Sequence, residues 1–156
     1  MIEVDIPGYR TFRFRHLVLD VNGTIAADGG LIDGVAELLG RIRTELAIHL
    51  VTADTYGRQQ ALGRALELDA VVIPAEGQAA AKLDYVTRLG ADGVVAIGNG
   101  ANDAAMLEGA ALGIAVIGPE GAASAALCRA DVVTAGILPA LQLLLHRRRL
   151  AATLRR

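Results

Sequence analysis

The chain predicts an α/β fold: one doubly wound parallel sheet preceded by an N-terminal β-hairpin. Two observations carry this. Six strand-length apolar runs, HLVLDV, AIHLVTA, AVVIPA, GVVAIGN, LGIAVIG and DVVTA, recur along the 156 residues. Most are continuous rather than alternating, which is the pattern of strands covered on both faces. Between them lie stretches of helical spacing, and strand–helix–strand repetition implies parallel strands joined by crossover helices.

In chain order, IEVDI and YRTFRFR alternate apolar and polar residues around Pro7-Gly8. They read as a hairpin extending the edge of the sheet. The first core strand begins near residue 17. It is followed by a second small hairpin, IAADGGLI (25–32), turning at Asp28-Gly29-Gly30. Asp33 stands where it can cap a helix in which Val35, Leu38, Leu39 and Ile42 share one face. Further core strands begin near residues 47, 70, 93, 113 and 131. Helices are expected over 59–68, 78–89 and 102–108, with a last one from about Pro139 into the tail. No linker, repeat or low-complexity segment interrupts this order, so residues 1–156 read as a single Rossmann-like domain.

Composition sets the limits. Hydrophobic residues make up 53% of the chain, enough for a sizeable core, yet aromatics are 3% and Trp is absent. The core must therefore be Ala, Leu, Val and Ile, and 18 glycines suit tight helix-on-sheet packing. The charge-free stretch 132–145 contains Pro139 and falls short of the roughly 20 apolar residues a membrane span needs. The first residues, MIEVDIPGYR, carry acids at once and no apolar signal core. Cys128 is alone, so it reads as a small core residue in a reducing cytoplasm. A net charge of −2 does not suggest a nucleic-acid partner. Five arginines fall in the last ten residues, where a helix carboxyl end would favour them. His16, His49 and His146 lack metal-ligand spacing and read as structural or surface residues.

In a doubly wound sheet the ligand lies beyond the carboxyl ends of the strands, where strand order reverses. Asp20 ends the first core strand and Thr52 the second, while IGNGAND brings Asn99, Asn102 and Asp103 after the fourth. Lys82 lies early in the helix before that strand. Each has work to do in phosphoryl transfer. Asp20 can attack phosphorus to give an acyl phosphate. The Thr52 hydroxyl and Lys82 ammonium can hold equatorial phosphoryl oxygens, with Gly23 and Asn102 as neighbouring substrate contacts. Asp20, the Asn22 backbone carbonyl, Asn99 and Asp103 offer the oxygen ligands that Mg2+ prefers. Gly98 and Gly100 would let that loop turn sharply, and Asp54 reads as a capping or hydrogen-bonding neighbour. Other chemistries fit poorly. GNGAND has Asp103 where a dinucleotide fingerprint needs Gly or Ala, and Ser124, the sole serine, is in no G-x-S-x-G elbow.

DVNGT, VTADT, Lys82 and GNGANDAAML, in that order, resemble the four motifs of the haloacid dehalogenase (HAD) superfamily. The nearest likeness is to the phosphorylation domain of P-type ATPases, and ALGIAVIG…AALCRADVVTAG continues it; the resemblance spans roughly residues 17–136. It implies a HAD-type fold in which Asp20 is phosphorylated, Thr52 and Lys82 bind phosphate, and Asp103 helps to hold magnesium. Two departures stand out. Family phosphatases usually have Asp two residues after the nucleophile, as general acid and base, where this chain has Asn22. The first Asp of the acidic loop is Asn99 here.

An amide cannot shuttle a proton near neutral pH, and losing acid–base help costs about 10²–10⁴ in rate. Only 27 residues separate Thr24 from Thr52 and 29 separate Thr52 from Lys82, so neither gap holds a cap domain or a nucleotide-binding domain. The expectation is a slow, capless, magnesium-dependent phosphatase or phosphotransferase acting on a phosphorylated small molecule or protein. A homo-oligomer whose 25–32 hairpin covers a neighbour's open site fits that expectation. The alternative is a catalytically degenerate module that binds Mg2+, phosphate or a partner protein without turnover.

Overall fold

The computed structural model describes residues 1–53 and 58–155. The chain opens with a hairpin, β1 (Ile2–Ile6) and β2 (Arg10–Phe14), and continues into β3 (His16–Asp20). A two-residue pair, β4 (Ala26–Ala27) and β5 (Gly30–Leu31), leads to α1 (Val35–Ile42), β6 (Ala47–Thr52) and α2 (Arg58–Leu66). Next come β7 (Ala70–Val72), α3 (Gln78–Leu89), β8 (Val94–Gly98) and α4 (Ala104–Gly109). The chain ends with β9 (Leu112–Val116), α5 (Ser124–Arg129), β10 (Val132–Thr134), α6 (Ile137–Leu145) and α7 (Arg147–Leu154).

Six strands form one sheet in the order β10-β9-β8-β3-β6-β7, every neighbouring pair parallel. They begin within a residue of the expected positions, because a continuous apolar run is a local signal. From β3 the chain winds outward through β6 and β7, then returns to the other side of β3 as β8. Strand order therefore reverses between β3 and β8. In β3, Leu17 and Leu19 enter the core under α1, α6 and α7, whereas Val18 enters the core under α3, α4 and α5. Side chains alternate along a strand, so Asp20 continues the Val18 face, toward α3.

Four expectations are corrected. The N-terminal hairpin forms a two-stranded sheet of its own rather than extending the main one. Its apolar face (Ile2, Val4, Ile6, Phe12, Phe14) is spent inside the core with α7 packed against β1. The α1 N-cap is Gly34 in the left-handed region, without a side-chain cap bond from Asp33. The expected final helix is two helices broken at His146, which places Arg147, Arg148 and Arg149 in a first turn rather than a last one. Arg147 instead pairs with Glu45. Cys128 is exposed, on the outer side of α5.

Helix formation at 102–108 is also split: a 3₁₀ turn over Ala101–Asp103 precedes α4. His16 and His49 sit beneath α3, with ring nitrogens 3.1 Å apart, and His49 Nδ1 lies 2.9 Å from the Tyr85 hydroxyl. Burial lowers both imidazole pKa values, which keeps the pair a neutral structural contact. Among the described residues no helix is long and apolar enough to cross a membrane.

Candidate active site

At the carboxyl end of the sheet, beside the reversal, lies a crevice of about 400 Å³. Asp20, Asn22, Thr52, Lys82, Asn99 and Asn102 all line it, together with Gln78 and Glu120. Lys82 arrives from α3 with its ammonium 2.6 Å from Asp20 Oδ1 and 2.6 Å from Asp103 Oδ1. It is 1% exposed, a burial that a lysine tolerates only when paired. The two carboxylates hold its pKa above the usual lysine value in spite of burial.

Asp20 has its second oxygen, Oδ2, 3.0 Å from the Thr24 hydroxyl, and that hydroxyl also reaches Asn99 Oδ1 at 3.1 Å. Thr24 thus ties the end of β3 to the loop after β8. Thr24, Ile25 and Ala26 turn their N–H groups onto the Val21 carbonyl, which makes the tight bend that puts Thr24 back over Asp20. Gly23 has a positive φ in this bend, and a Cβ there would stand 2.6 Å from Asn99 Nδ2 and 2.7 Å from Glu120 Oε2. Only glycine fits.

Three sequence expectations change in detail. Asp103 is fully buried: Oδ1 takes Lys82, and Oδ2 accepts the N–H groups of Asn99 (3.0 Å) and Gly100 (2.8 Å). It does not itself line the crevice and adjoins it through Lys82. Gly23 donates its N–H to the Ala26 carbonyl at 2.8 Å, so that N–H serves the bend rather than a substrate. Gly98 and Gly100 have no positive φ; what they provide is room. A Cβ at 98 would meet the Asp103 carboxylate at 2.5 Å, and one at 100 would meet Asn102 Oδ1 at 2.5 Å. Asn102 is held by Gln78, Nδ2 to Oε1 at 2.6 Å. Asp54 lies outside the described residues.

Sequence reading missed Thr24 as the bridge, Gln78 as the orienter of Asn102, and Glu120. Thr24 had a signal, since it stands within DVNGT. Glu120 had none, because its loop comes over the site from β9.

Burial and the neighbouring Asp103 charge push the Asp20 carboxyl up to about 6, despite the opposing Lys82. A carboxyl raised on folding contributes most stability below its unfolded value of 3.8 and loses it as pH rises through about 6. Asp20→Asn, neutral at every pH, escapes that loss. In chelator-treated protein the variant should therefore gain in stability relative to the parent as pH rises from 4 to 8. The difference should close toward pH 4 in urea melts; a gap independent of pH would contradict this account.

The chain has the fold of the HAD superfamily phosphatases in a capless form. A subfamily III A member of the HAD superfamily hydrolases from Legionella pneumophila superposes with a TM-score of 0.72 at 17% identity, over 90% of this chain and 87% of that one. The 3-deoxy-D-manno-octulosonate 8-phosphate phosphatase of Moraxella catarrhalis, in complex with a magnesium ion, a phosphate ion and a KDO molecule, gives 0.66 at 18% identity over 90% and 92%. The cobalt-bound Haemophilus influenzae enzyme of the same name gives 0.67 at 13% identity over 90% and 92%. By sequence, the chain belongs to one family with an uncharacterized protein of Methanocaldococcus jannaschii: they are 52% identical over 62 residues, 40% of this chain and 67% of that one. No protein-family model matches it.

Proposed function

We propose that this protein is a magnesium-dependent phosphatase or phosphotransferase that works through an aspartyl phosphate on Asp20. The observation that carries the reading is Asp20 at a strand end, with one oxygen on Lys82 and the other on Thr24, opening onto a polar crevice.

An oxygen of Asp20 attacks phosphorus, the ester P–O bond breaks, and its electron pair leaves with the alcohol. Water then attacks the acyl phosphate, the bond from phosphorus to Asp20 breaks, and the carboxylate returns. Lys82 keeps Asp20 oriented and lies where it can share negative charge from the phosphoryl group. Thr52, at the end of β6, offers a hydroxyl to the same group, and Asn102 and Gln78 are held ready for its oxygens. Asp103 acts as a positioning residue: it anchors Lys82 and, through two backbone N–H groups, the Asn99 loop.

Asp20 and the Asn99 carboxamide, joined by Thr24, form an oxygen donor set of the kind Mg2+ takes, with the Asn22 carbonyl beside them. When bound, the ion would neutralise phosphoryl charge and orient the group for attack. One carboxylate in place of two should make its binding loose.

Asn22 favours phosphorylation over hydrolysis, because neither the leaving alkoxide nor the attacking water finds a carboxyl at that position. The same two asparagines favour a second reading, a module that binds phosphate and Mg2+ without turnover. Both readings keep an open crevice that a second copy can cover with its 25–32 hairpin. A panel of phosphate esters and acetyl phosphate with Mg2+, followed by acid quench and peptide mass analysis, separates them. The enzyme reading expects a phosphoryl adduct on the Asp20 peptide, absent in Asp20→Asn, and slow release of phosphate. Phosphate-analogue binding with neither adduct nor release supports the module instead.

A further inference from the structure

The two phosphoryl-transfer steps leave a proton problem, since one proton must reach the leaving alcohol and one must leave the attacking water. Asn22 can do neither. Other groups in and behind the crevice are poor candidates as well. Lys82 is buried between two carboxylates that hold its proton. Asp103 is fully buried with both oxygens engaged. Gln78, Asn99 and Asn102 are amides.

Glu120 differs on each count. It lines the crevice, is exposed to water, and forms no hydrogen bond or ion pair with another described residue. Its Oε2 stands 2.7 Å from the point a Cβ on Gly23 would occupy, directly over the bend that carries Asn22. Its loop is pinned rather than loose. Gly118 and Gly121 pair across it, the Asn99 side chain donates to the Gly121 carbonyl at 3.2 Å, and Ala123 N–H donates to the Asn99 carbonyl at 2.8 Å. At its base, a Cβ on Gly118 would come within 2.8 Å of the Gly23 carbonyl oxygen, so the loop lies directly on the bend.

We propose that Glu120 is the proton-transfer residue of this site, doing from the loop after β9 the acid–base work that the side chain at 22 cannot. As the acid it protonates the departing alkoxide. As the carboxylate so formed it takes the proton of the water that attacks the acyl phosphate, and the cycle closes with Glu120 protonated again. This rests on the aspartyl-phosphate reading above.

The test compares the parent protein, Glu120→Gln, Glu120→Asp and the double variant Asn22→Asp/Glu120→Gln, at saturating Mg2+ with one ester substrate. Glu120→Gln should lower kcat about 10²-fold with KM nearly unchanged. It should flatten the limb of the pH–rate profile that reports a carboxyl, and increase the trapped Asp20 adduct. Glu120→Asp should keep part of the rate, and Asn22→Asp should restore turnover to the Glu120→Gln protein. Unchanged kcat in Glu120→Gln overturns the proposal. So does an effect confined to KM, which marks a substrate contact, or to the Mg2+ concentration needed for half activity, which marks charge near the ion. A parent protein that neither turns over nor forms the adduct overturns the aspartyl-phosphate reading itself, and the role of Glu120 with it.

Discussion

Asn22→Asp is expected to raise phosphatase turnover by about 10²-fold or more, within the 10²–10⁴ that a positioned acid–base group supplies. The change is nearly isosteric and the residue faces the open crevice, so the fold should be untouched. The carboxyl would stand two residues beyond Asp20, on the wall of the same crevice. Steady-state kcat at saturating Mg2+, measured beside the amount of trapped adduct, checks it: kcat should rise while the adduct falls. Asn99→Asp is the control, since it should tighten Mg2+ binding with little change in saturated kcat. Should Asn22→Asp leave turnover unchanged, the carboxyl absent from position 22 is not what limits this protein. Both asparagines precede glycine, an arrangement prone to deamidation, but the glycine N–H is engaged at each: Gly23 by Ala26 and Gly100 by Asp103. Cyclisation needs that nitrogen, so little conversion to Asp is expected, and intact mass verifies it for every preparation.

Lys82→Met should both abolish turnover and destabilise the metal-free protein by about 3–5 kcal/mol near neutral pH, the usual cost of removing one partner from a buried ion pair. Methionine fills much of the buried volume, so the loss measures charge rather than a cavity. Two carboxylates would then face each other without a cation, and the Asp20 carboxyl, already raised, would rise further. A group raised on folding is most favourable when protonated, so the deficit should shrink as pH falls from 7 toward 4. Urea melts at several pH values read this directly. A deficit that is the same at pH 4 and pH 7 would mean that packing, not charge, explains why the lysine is buried. The pH dependence also separates this effect from the loss of catalysis, which should persist at every pH.

Much of this molecule is legible in its sequence. The six core strands, the second hairpin and the α3 boundaries emerge from apolar runs and turn residues within a few positions of each other. Asp20, Thr52, Lys82, Asn99 and Asn102 converge because each stands at a strand end or a helix start that a doubly wound sheet delivers to the same edge. What failed locally failed for identifiable reasons. Asp33 lost the cap to Gly34 because the left-handed conformation at 34 sets the entry of the chain into α1. The tail split at His146, and three of its arginines moved to the other end of a helix, because apolar spacing alone does not mark a break between two helices.

By itself the sequence determined the fold class, the order of the elements and the residues that meet at the sheet's carboxyl edge, since these follow from periodicity and strand-end position. Only the tertiary structure decided how those residues share their bonds. It turned Asp103 inward onto Lys82 and two backbone N–H groups, set Thr24 between Asp20 and Asn99, closed the N-terminal hairpin as a separate sheet, and laid Glu120 over Gly23. The physical reason is range. Periodicity is a property of neighbours in the chain, whereas a hydrogen-bond partner 75 residues away, as Asn99 is from Thr24, is chosen by sheet order and by how closely two backbones approach.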